Sequence, residues 1–352
     1  HLATRVLEDR PETRNEIIHH CYVATTESTE TDKILRQLVK RDPPSLLRQA
    51  GASTVRLGER KRSHFGVSLE AAVKDRKAGV YVLSGGAGSG KTTFLSRFES
   101  IVDPGLVEKF CAWFHVDFLP AGRPDVATVG QEVAAFVFAQ VRRQISGRYA
   151  HEIAVDGAAL RELFADEIGV LETTELYQVD ANSPKRQKVI NREVKRLFED
   201  DEAFVAAAIR RLIQLGRRPV FVLDNSDQLG EEFQERVFLQ AKSLQDTFSA
   251  ICIVSLREEK FYAAYYRGVF NAFPTQKFYI GNPLLKDVLR RRLAYGLELM
   301  RQEPASFFGE GDTSVDALSP EDCKTLLNVF IRSVVDQNRN IVRMIESVSM
   351  GN

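Results

Sequence analysis

The sequence lacks the features that mark several classes of protein. Its 352 residues include only four cysteines, with no C-x-x-C pair, and its longest uninterrupted apolar runs, such as Val133–Ala139, have seven residues. A helix that crosses a bilayer takes about 18 apolar residues, and disulfide-stapled folds and zinc ribbons need closely placed cysteines. No secretory leader is visible at the start. These absences argue against a membrane protein and favour a reducing compartment, which we expect to be the cytoplasm.

An excess of charge of one sign is also absent. The chain contains 48 Lys plus Arg and 48 Asp plus Glu, so its formal net charge is zero. A balanced surface gives no general attraction to nucleic acid or anionic lipid, although the basic stretches 56–62 and 290–292 leave a local nucleic-acid contact open. At about 150 residues per domain, the length predicts two or three domains. Because the chain begins at His1 rather than Met, we expect it to be a piece of a longer protein.

What the sequence does contain is a series of short apolar runs separated by helical patterns. Strands that are apolar on both faces and alternate with helices indicate an α/β fold, with a parallel five-stranded sheet that helices cover on both sides. The runs of strand length cover residues 80–83, 110–118, 219–223, 250–256 and 277–280.

After residue 283 only helical patterns remain, which predicts a C-terminal helical lid domain. The predicted order is a helical lead-in (1–55), a core (56–283) with a helical insertion at about 146–198, and the lid (284–352).

A glycine-rich loop directly follows the first predicted strand. Gly85-x4-Gly90-Lys91-Thr92 fits the phosphate-loop pattern G-x-x-x-x-G-K-[ST]. The glycines let backbone N–H groups surround phosphate oxygens, the lysine reaches the β and γ phosphates, and the Thr92 hydroxyl is placed to bind Mg²⁺. A P-loop NTPase is therefore expected. The predicted nucleotide-binding residues of the loop are Gly85, Gly86, Gly88, Ser89, Gly90, Lys91, Thr92 and Thr93.

An acidic residue, Asp224, ends the apolar run 219–223. A carboxylate at the end of a strand, downstream of a phosphate loop, is predicted to hold Mg²⁺ through water, together with Thr92. Many ATPases of this kind carry Glu immediately after this Asp, but here the position is Asn225. We therefore predict that Asp227 orients the attacking water, and that hydrolysis is slow or needs a partner.

Four arginines are candidates for contacts to the nucleotide. Arg257, at the end of the run 250–256, is predicted to sense the γ phosphate. Arg267 comes before the last strand, a position from which an arginine finger could reach the nucleotide of a neighbouring subunit. A plain surface role for Arg267 is equally open. Arg339 or Arg343, in the last helical segment, is predicted to act as a nucleotide sensor.

With these parts in order, residues from about 56 to 350 resemble P-loop ATPases in which an additional strand separates the phosphate-loop strand from the metal-Asp strand. The terminal helices look like the lid of AAA+ and STAND (signal-transduction) NTPases. The segment from Asp224 to Asp227 resembles the STAND pattern of two acidic residues three apart. Ser255-Leu256-Arg257 is similar to the Thr-Ser-Arg that follows the sensor strand of that group.

The polar helical insertion is also similar to that of bacterial antiphage-defence ATPases, among them the ATPase component of the RADAR system. This resemblance implies that the chain binds ATP and Mg²⁺, self-associates into a ring or cluster, and acts on a protein effector or partner. The sequence contains no Asn/Thr-Lys-x-Asp guanine signature, which favours adenine.

Three functions remain open on the sequence alone. The first is an ATPase module that drives assembly or conformational switching in a defence or signalling protein. The second is a nucleotide-locked scaffold with little turnover, which the asparagine after Asp224 favours. The third is a nucleic-acid-dependent AAA+ motor that uses the basic stretches.

Overall fold

A computed structural model of the chain describes residues 11–40, 78–102, 104–119, 129–180, 182–226, 230–260, 276–302, 320–330 and 332–333. The helices in these ranges are α1 (Pro11–Cys21), α2 (Thr26–Lys40), α3 (Lys91–Arg97), α4 (Pro104–Phe110), α5 (Val129–Arg148), α6 (Gly157–Leu163), α7 (Ala165–Thr174), α8 (Pro184–Glu199), α9 (Asp201–Gln214), α10 (Glu231–Phe248), α11 (Leu285–Gln302) and α12 (Pro320–Phe330). The strands are β1 (Gly79–Gly85), β2 (Cys111–Asp117), β3 (Arg218–Asp224), β4 (Ile251–Arg257) and β5 (Gln276–Tyr279).

The five strands form a single parallel sheet in the order β2-β3-β4-β1-β5, flanked by helices. This confirms the predicted fold class. Strand β4 lies between β1 and β3, so an additional strand separates the strand that leads into the glycine-rich loop from the strand that ends at Asp224. The predicted strand positions are correct to within a few residues, except that Phe110 ends α4 instead of opening β2.

The core of the sheet is apolar on both faces because the strands are covered on both sides. Phe114 of β2 and Phe221 of β3 are fully buried, and their rings stack with centroids 5.3 Å apart. Val141 of α5, Ile209 of α9 and Val237 of α10 pack into the same apolar cluster. The apolar periodicity of these three helices therefore marks the faces that cover the sheet.

Strand β2 lies at the edge of the sheet, and side chains of α5 and the residues after it satisfy part of its unpaired backbone. The amide of Gln144 accepts a hydrogen bond from the His115 N–H at 2.9 Å and donates one to the His115 carbonyl at 2.8 Å. The Tyr149 hydroxyl accepts from the Trp113 N–H at 2.7 Å. These side chains thereby cover part of an open strand edge.

By contacts, the chain divides into two compact units that do not follow its order. One comprises residues 1–33, 84–104 and 279–352, and the other comprises 34–83 and 105–278. In the first unit, α1 packs on α11, where the rings of His20 and Tyr295 stack at 4.5 Å. The domain boundaries predicted from the sequence stay a prediction, since the one after residue 55 falls outside the described residues.

The described cysteines are buried free thiols: Cys21, Cys111 and Cys252. Burial raises the pKa of the Cys111 thiol to about 12 and raises that of Cys252 as well. Within the described ranges, no helix combines the length and the apolar character needed to cross a membrane.

Candidate functional site

The glycine-rich loop leaves the buried strand β1 and ends where α3 begins at Lys91. Gly88 has φ of 70° and Gly90 has φ of 80°, values that favour glycine over residues with a side chain. Helical structure continues beyond α3 as a π-helical segment to Val102. The local sequence therefore folds as strand, loop and helix, which is the context that the phosphate-loop pattern requires.

Gly85 is the tightest point of this loop. A Cβ atom at this residue would lie 2.6 Å from the Ile280 carbonyl oxygen and 2.6 Å from Ser89 Oγ. The Ile280 N–H also donates to the Ser84 carbonyl at 2.8 Å, which holds the backbone after β5 against the start of the loop. A Cβ at Gly86 would meet the Asn282 side chain at 3.1 Å. Only glycine fits at Gly85 without moving backbone.

The ammonium group of Lys91 folds back onto the backbone of the glycine-rich loop. Its Nζ donates to the carbonyl oxygens of Gly85 and Gly86, each at 3.1 Å. Thr92 and Thr93 follow in the first turn of α3 and are half-buried. A lysine with backbone N–H groups and hydroxyls beside it is a donor set that suits phosphate oxygens.

The N-terminal helices contact the same unit in a way that no local signal in the sequence predicted. Arg97 of α3 donates to the Asp32 carboxylate at 2.9 Å, and its guanidinium lies 4.5 Å from the ring centre of Tyr22. A Cβ at Gly281 would lie 2.9 Å from the Glu27 carboxylate. The lead-in is thus packed against the loop helix and against the segment that follows β5.

A second cluster lies where β2 and β3 end, and we call it the acidic edge: His115, Asp117, Asp224 and Asn225. Asp224 is 1% exposed, and its Oδ1 accepts the Asn225 N–H at 2.9 Å. His115 Nε2 lies 3.5 Å from Asp224 Oδ2. Strand pairing places Asp117 directly opposite Asp224. A buried carboxylate is thus held at the carboxyl end of the sheet.

The two ends of the acidic edge are joined by a side-chain hydrogen bond. Asn225 Nδ2 donates to Asp117 Oδ1 at 2.8 Å, and the Leu119 N–H donates to the same oxygen at 3.0 Å. Asn225 has φ of 61°, a conformation that asparagine tolerates better than most residues. Sequence reasoning missed His115 and Asp117. Their signal was present, since both are polar interruptions near the carboxyl end of the apolar run of β2.

The structure describes only one of the other predicted site residues. Arg257 is the last residue of β4 and is partly exposed. Four predicted residues lie outside the described residues: Asp227, Arg267, Arg339 and Arg343. Of the two basic stretches, 56–62 also lies outside them. In the other, Arg291 donates to the Tyr22 carbonyl at 2.7 Å, so its guanidinium is engaged within the protein.

A separate cavity of about 330 Å³ lies between the insertion helices α6 and α7 and helix α9. Two of its charged lining residues form ion pairs: Arg211 with Glu162 at 3.2 Å, and Arg210 with Glu167. This cavity contains no phosphate loop, so the candidate functional groups are those of the loop and the acidic edge.

No family model matches this chain, and no curated protein matches it. Among solved structures the chain is similar to Cdc6p from Pyrobaculum aerophilum, with 10% sequence identity and a TM-score of 0.36. The similarity covers 96% of this chain, which spans 63% of the length of that protein. A similarity at this level does not identify a function.

Proposed function

We propose that this chain binds Mg-ATP and hydrolyses it. The observation that carries the proposal is the loop from Gly85 to Lys91, in which a Cβ at the first glycine would collide with the Ile280 carbonyl and the lysine ammonium lies on the loop carbonyls. Such a loop, placed between a buried parallel strand and a helix, presents successive N–H groups to a phosphate chain.

Oxygen-bearing side chains of the kind that Mg²⁺ binds are present among the candidate site residues. The Thr92 hydroxyl and the Asp224 carboxylate are the groups that the sequence predicts as its ligands. Among the described residues, no group of three or more His, Cys, Asp and Glu side chains forms a metal cage. Mg²⁺ keeps several waters and takes its remaining ligands from one or two side chains and the phosphates. Bound Mg²⁺ neutralises charge on the phosphates.

The proposed role extends to nucleotide-dependent assembly. The resemblance to STAND and AAA+ proteins, to antiphage ATPases and to the RADAR component supports a ring or cluster that forms with bound ATP and acts on a protein partner. Adenine is favoured because the chain has no guanine signature. Mass measurements with ATP, with ADP and without nucleotide test the assembly, and an unchanged mass in all three would contradict it.

The decisive experiment compares the intact protein with Lys91→Ala. We expect the variant to bind a fluorescent ATP analogue with Mg²⁺ at least about 100-fold more weakly, which corresponds to about 2.7 kcal/mol, and to release no phosphate. Lys195→Ala is the matched control, because the Lys195 side chain on α8 is 74% exposed. Equal binding and equal phosphate release by wild type and Lys91→Ala would refute the proposal.

A nucleotide-locked scaffold is the second candidate, and the asparagine that follows Asp224 favours it. A scaffold is stabilised by its ligand but releases no phosphate, and ligand at about 1,000 times its dissociation constant stabilises by about 4 kcal/mol. Thermal unfolding with and without Mg-ATP, together with single-turnover phosphate release, separates the two candidates. Stabilisation accompanied by rapid phosphate release excludes the scaffold.

A further inference from the structure

Helix α8 has one apolar face and one cationic face. Its buried residues belong to the apolar cluster that covers the sheet: Ile190, Val194 and Leu197. Three exposed cations lie on the other side of the helix, and we call them the α8 stripe: Lys185, Lys188 and Arg192. At 3.6 residues per turn and 1.5 Å per residue, the stripe lies within about 60° of arc and is about 10 Å long. The packed apolar face therefore fixes the direction in which the cations point.

The α8 stripe differs from the other cations of the same helix in its partners. Each of the others has a carboxylate beside it: Arg186 with Glu172 at 2.7 Å, Lys195 with Glu199 at 3.7 Å, and Arg196 with Glu193 at 2.7 Å. Within the part of the chain that the structure describes, no ion pair involves a residue of the stripe. Like charges three or four positions apart on a helix repel each other. An anion that binds the stripe would remove this repulsion.

A fourth cation reaches the stripe from a second helix. Arg161 of α6 is exposed, and its guanidinium donates to Asn191 Oδ1 at 2.5 Å. Asn191 lies three positions after Lys188, and residues at this spacing are neighbours on a helix surface. The hydrogen bond therefore holds the Arg161 guanidinium beside the stripe, so that two helices build one cationic surface.

The character of α8 favours a nucleic-acid duplex over a lipid surface or a single strand. The structure describes every residue of this helix, and none of its exposed side chains is aromatic or large and apolar. A helix that binds a membrane surface inserts its apolar face into the lipid, but here that face is buried in the core. Proteins that bind single strands stack the bases on aromatic side chains. What α8 offers is charge alone, which suits a phosphate backbone.

The length of the stripe suits duplex DNA. A duplex carries one negative charge per about 1.7 Å of its axis, so about 10 Å of it presents about six phosphates. The major groove of B-form DNA is about 12 Å wide and accepts long basic side chains between its phosphate rims. The major groove of A-form RNA is too narrow for side chains.

We propose that the α8 stripe, together with Arg161, binds the phosphate backbone of duplex DNA without regard to base sequence. The zero net charge of the chain does not oppose this binding, because salt at about 0.1 M screens exposed charges that lie more than about 10 Å away. The phosphates therefore respond to the local cations. This inference needs no nucleotide and does not depend on the proposed ATPase function.

The test measures binding of the full chain to a short fluorescein-labelled duplex DNA of mixed sequence, by fluorescence anisotropy and without nucleotide. We expect a Kd of about 1–100 µM at physiological salt, and a plot of log association constant against log salt with a slope of about −3.6, as for four phosphate contacts. Lys185→Gln/Lys188→Gln/Arg192→Gln should bind at least about tenfold more weakly, with a slope of about −0.9.

Two further variants show whether charge at this place is the cause. Lys185→Arg/Lys188→Arg/Arg192→Lys keeps the charge and should bind as wild type does. The matched control removes three exposed cations from α2, α5 and α10 and changes the net charge by the same amount: Lys33→Gln/Arg143→Gln/Arg236→Gln. It should keep the wild-type Kd and slope. The melting temperatures of all three variants should stay near that of wild type, because the substituted side chains are exposed.

Several outcomes would overturn the inference. One is wild type that does not bind the duplex at low salt, and another is a control variant that loses as much affinity as the stripe variant. Weak binding by the charge-retaining variant would also contradict it. Tighter binding of wild type to duplex RNA, to single-stranded DNA or to phosphatidylserine vesicles than to duplex DNA would refute the partner. Failure of the Lys91→Ala experiment, in contrast, would refute only the proposed ATPase function.

Discussion

The glycine-rich loop and the acidic edge are built in opposite ways. The loop uses backbone, and its shape comes from contiguous residues between Gly85 and Lys91. The acidic edge uses side chains, and its two halves are 108 positions apart in the chain, joined by the hydrogen bond between Asp117 and Asn225. A backbone cradle leaves a pattern in the local sequence, because only glycine fits there. A side-chain pair between strands leaves no such pattern.

Gly85→Ala is the change that should break the loop while it leaves the acidic edge intact. The new Cβ would lie 2.6 Å from the Ile280 carbonyl, which is backbone and cannot rotate away. We expect the affinity for Mg-ATP to fall at least about 100-fold, or about 2.7 kcal/mol, as measured by titration of a fluorescent ATP analogue.

Gly147→Ala is the control for this substitution. Nothing lies within 4 Å of a Cβ at Gly147 on α5, so affinity should be unchanged and stability should rise by up to about 1 kcal/mol. Wild-type affinity in Gly85→Ala would show that the close approach of the Ile280 carbonyl does not shape the phosphate site.

Gln144→Leu should disturb the acidic edge and spare the loop. It removes the side chain that satisfies the N–H and the carbonyl of His115, and unsatisfied groups of this kind cost about 1–3 kcal/mol. We expect a lower free energy of unfolding in urea and a several-fold lower kcat, with the Kd for Mg-ATP little changed. Gln187→Leu, at an exposed position on α8, serves as the control. A fall in affinity as large as that of Gly85→Ala would mean that the two regions are not separable in this way.

Gly88→Ala should lower the affinity for Mg-ATP less than Gly85→Ala does. Gly88 has φ of 70°, but no atom lies within 4 Å of a Cβ there, so the substitution adds backbone strain without a collision. Such strain costs about 1–2 kcal/mol. We therefore expect the affinity for Mg-ATP to fall about 5- to 30-fold, which is the fold-change that corresponds to this cost. Gly88→Asn should lose less, because asparagine tolerates this conformation. If Gly88→Ala loses more affinity for Mg-ATP than Gly85→Ala does, backbone conformation rather than steric space limits which residues the loop accepts.

Much of the fold could be predicted from periodicity alone. The runs around Val82, Phe114, Val222, Ile253 and Phe278 became strands because apolar residues on both faces need cover on both sides. Helices α5, α9 and α10 were visible from apolar residues at helical spacing. The strand boundaries were less secure, since Phe110 belongs to a helix although its apolar character continues into β2.

The candidate site could be recognised from the sequence only where it consists of consecutive residues. The loop from Gly85 to Thr93 and the acidic end of β3 at Asp224 were named from the sequence. Asp117 was not, because a polar residue at the end of an edge strand has no fixed partner until β2 and β3 pair. The contacts of Arg97 with Tyr22 and Asp32 were also missed, because they join residues that lie more than 60 positions apart.

The sequence by itself determined that this chain forms a parallel sheet with a glycine-rich loop after its first strand, because apolar runs must be buried and the loop backbone adopts conformations that favour glycine. Only the tertiary structure decided which carboxylate stands beside Asn225 and which groups hold it there. That choice depends on strand order and register, which set the distance between residues far apart in the chain, and distance decides whether a hydrogen bond forms.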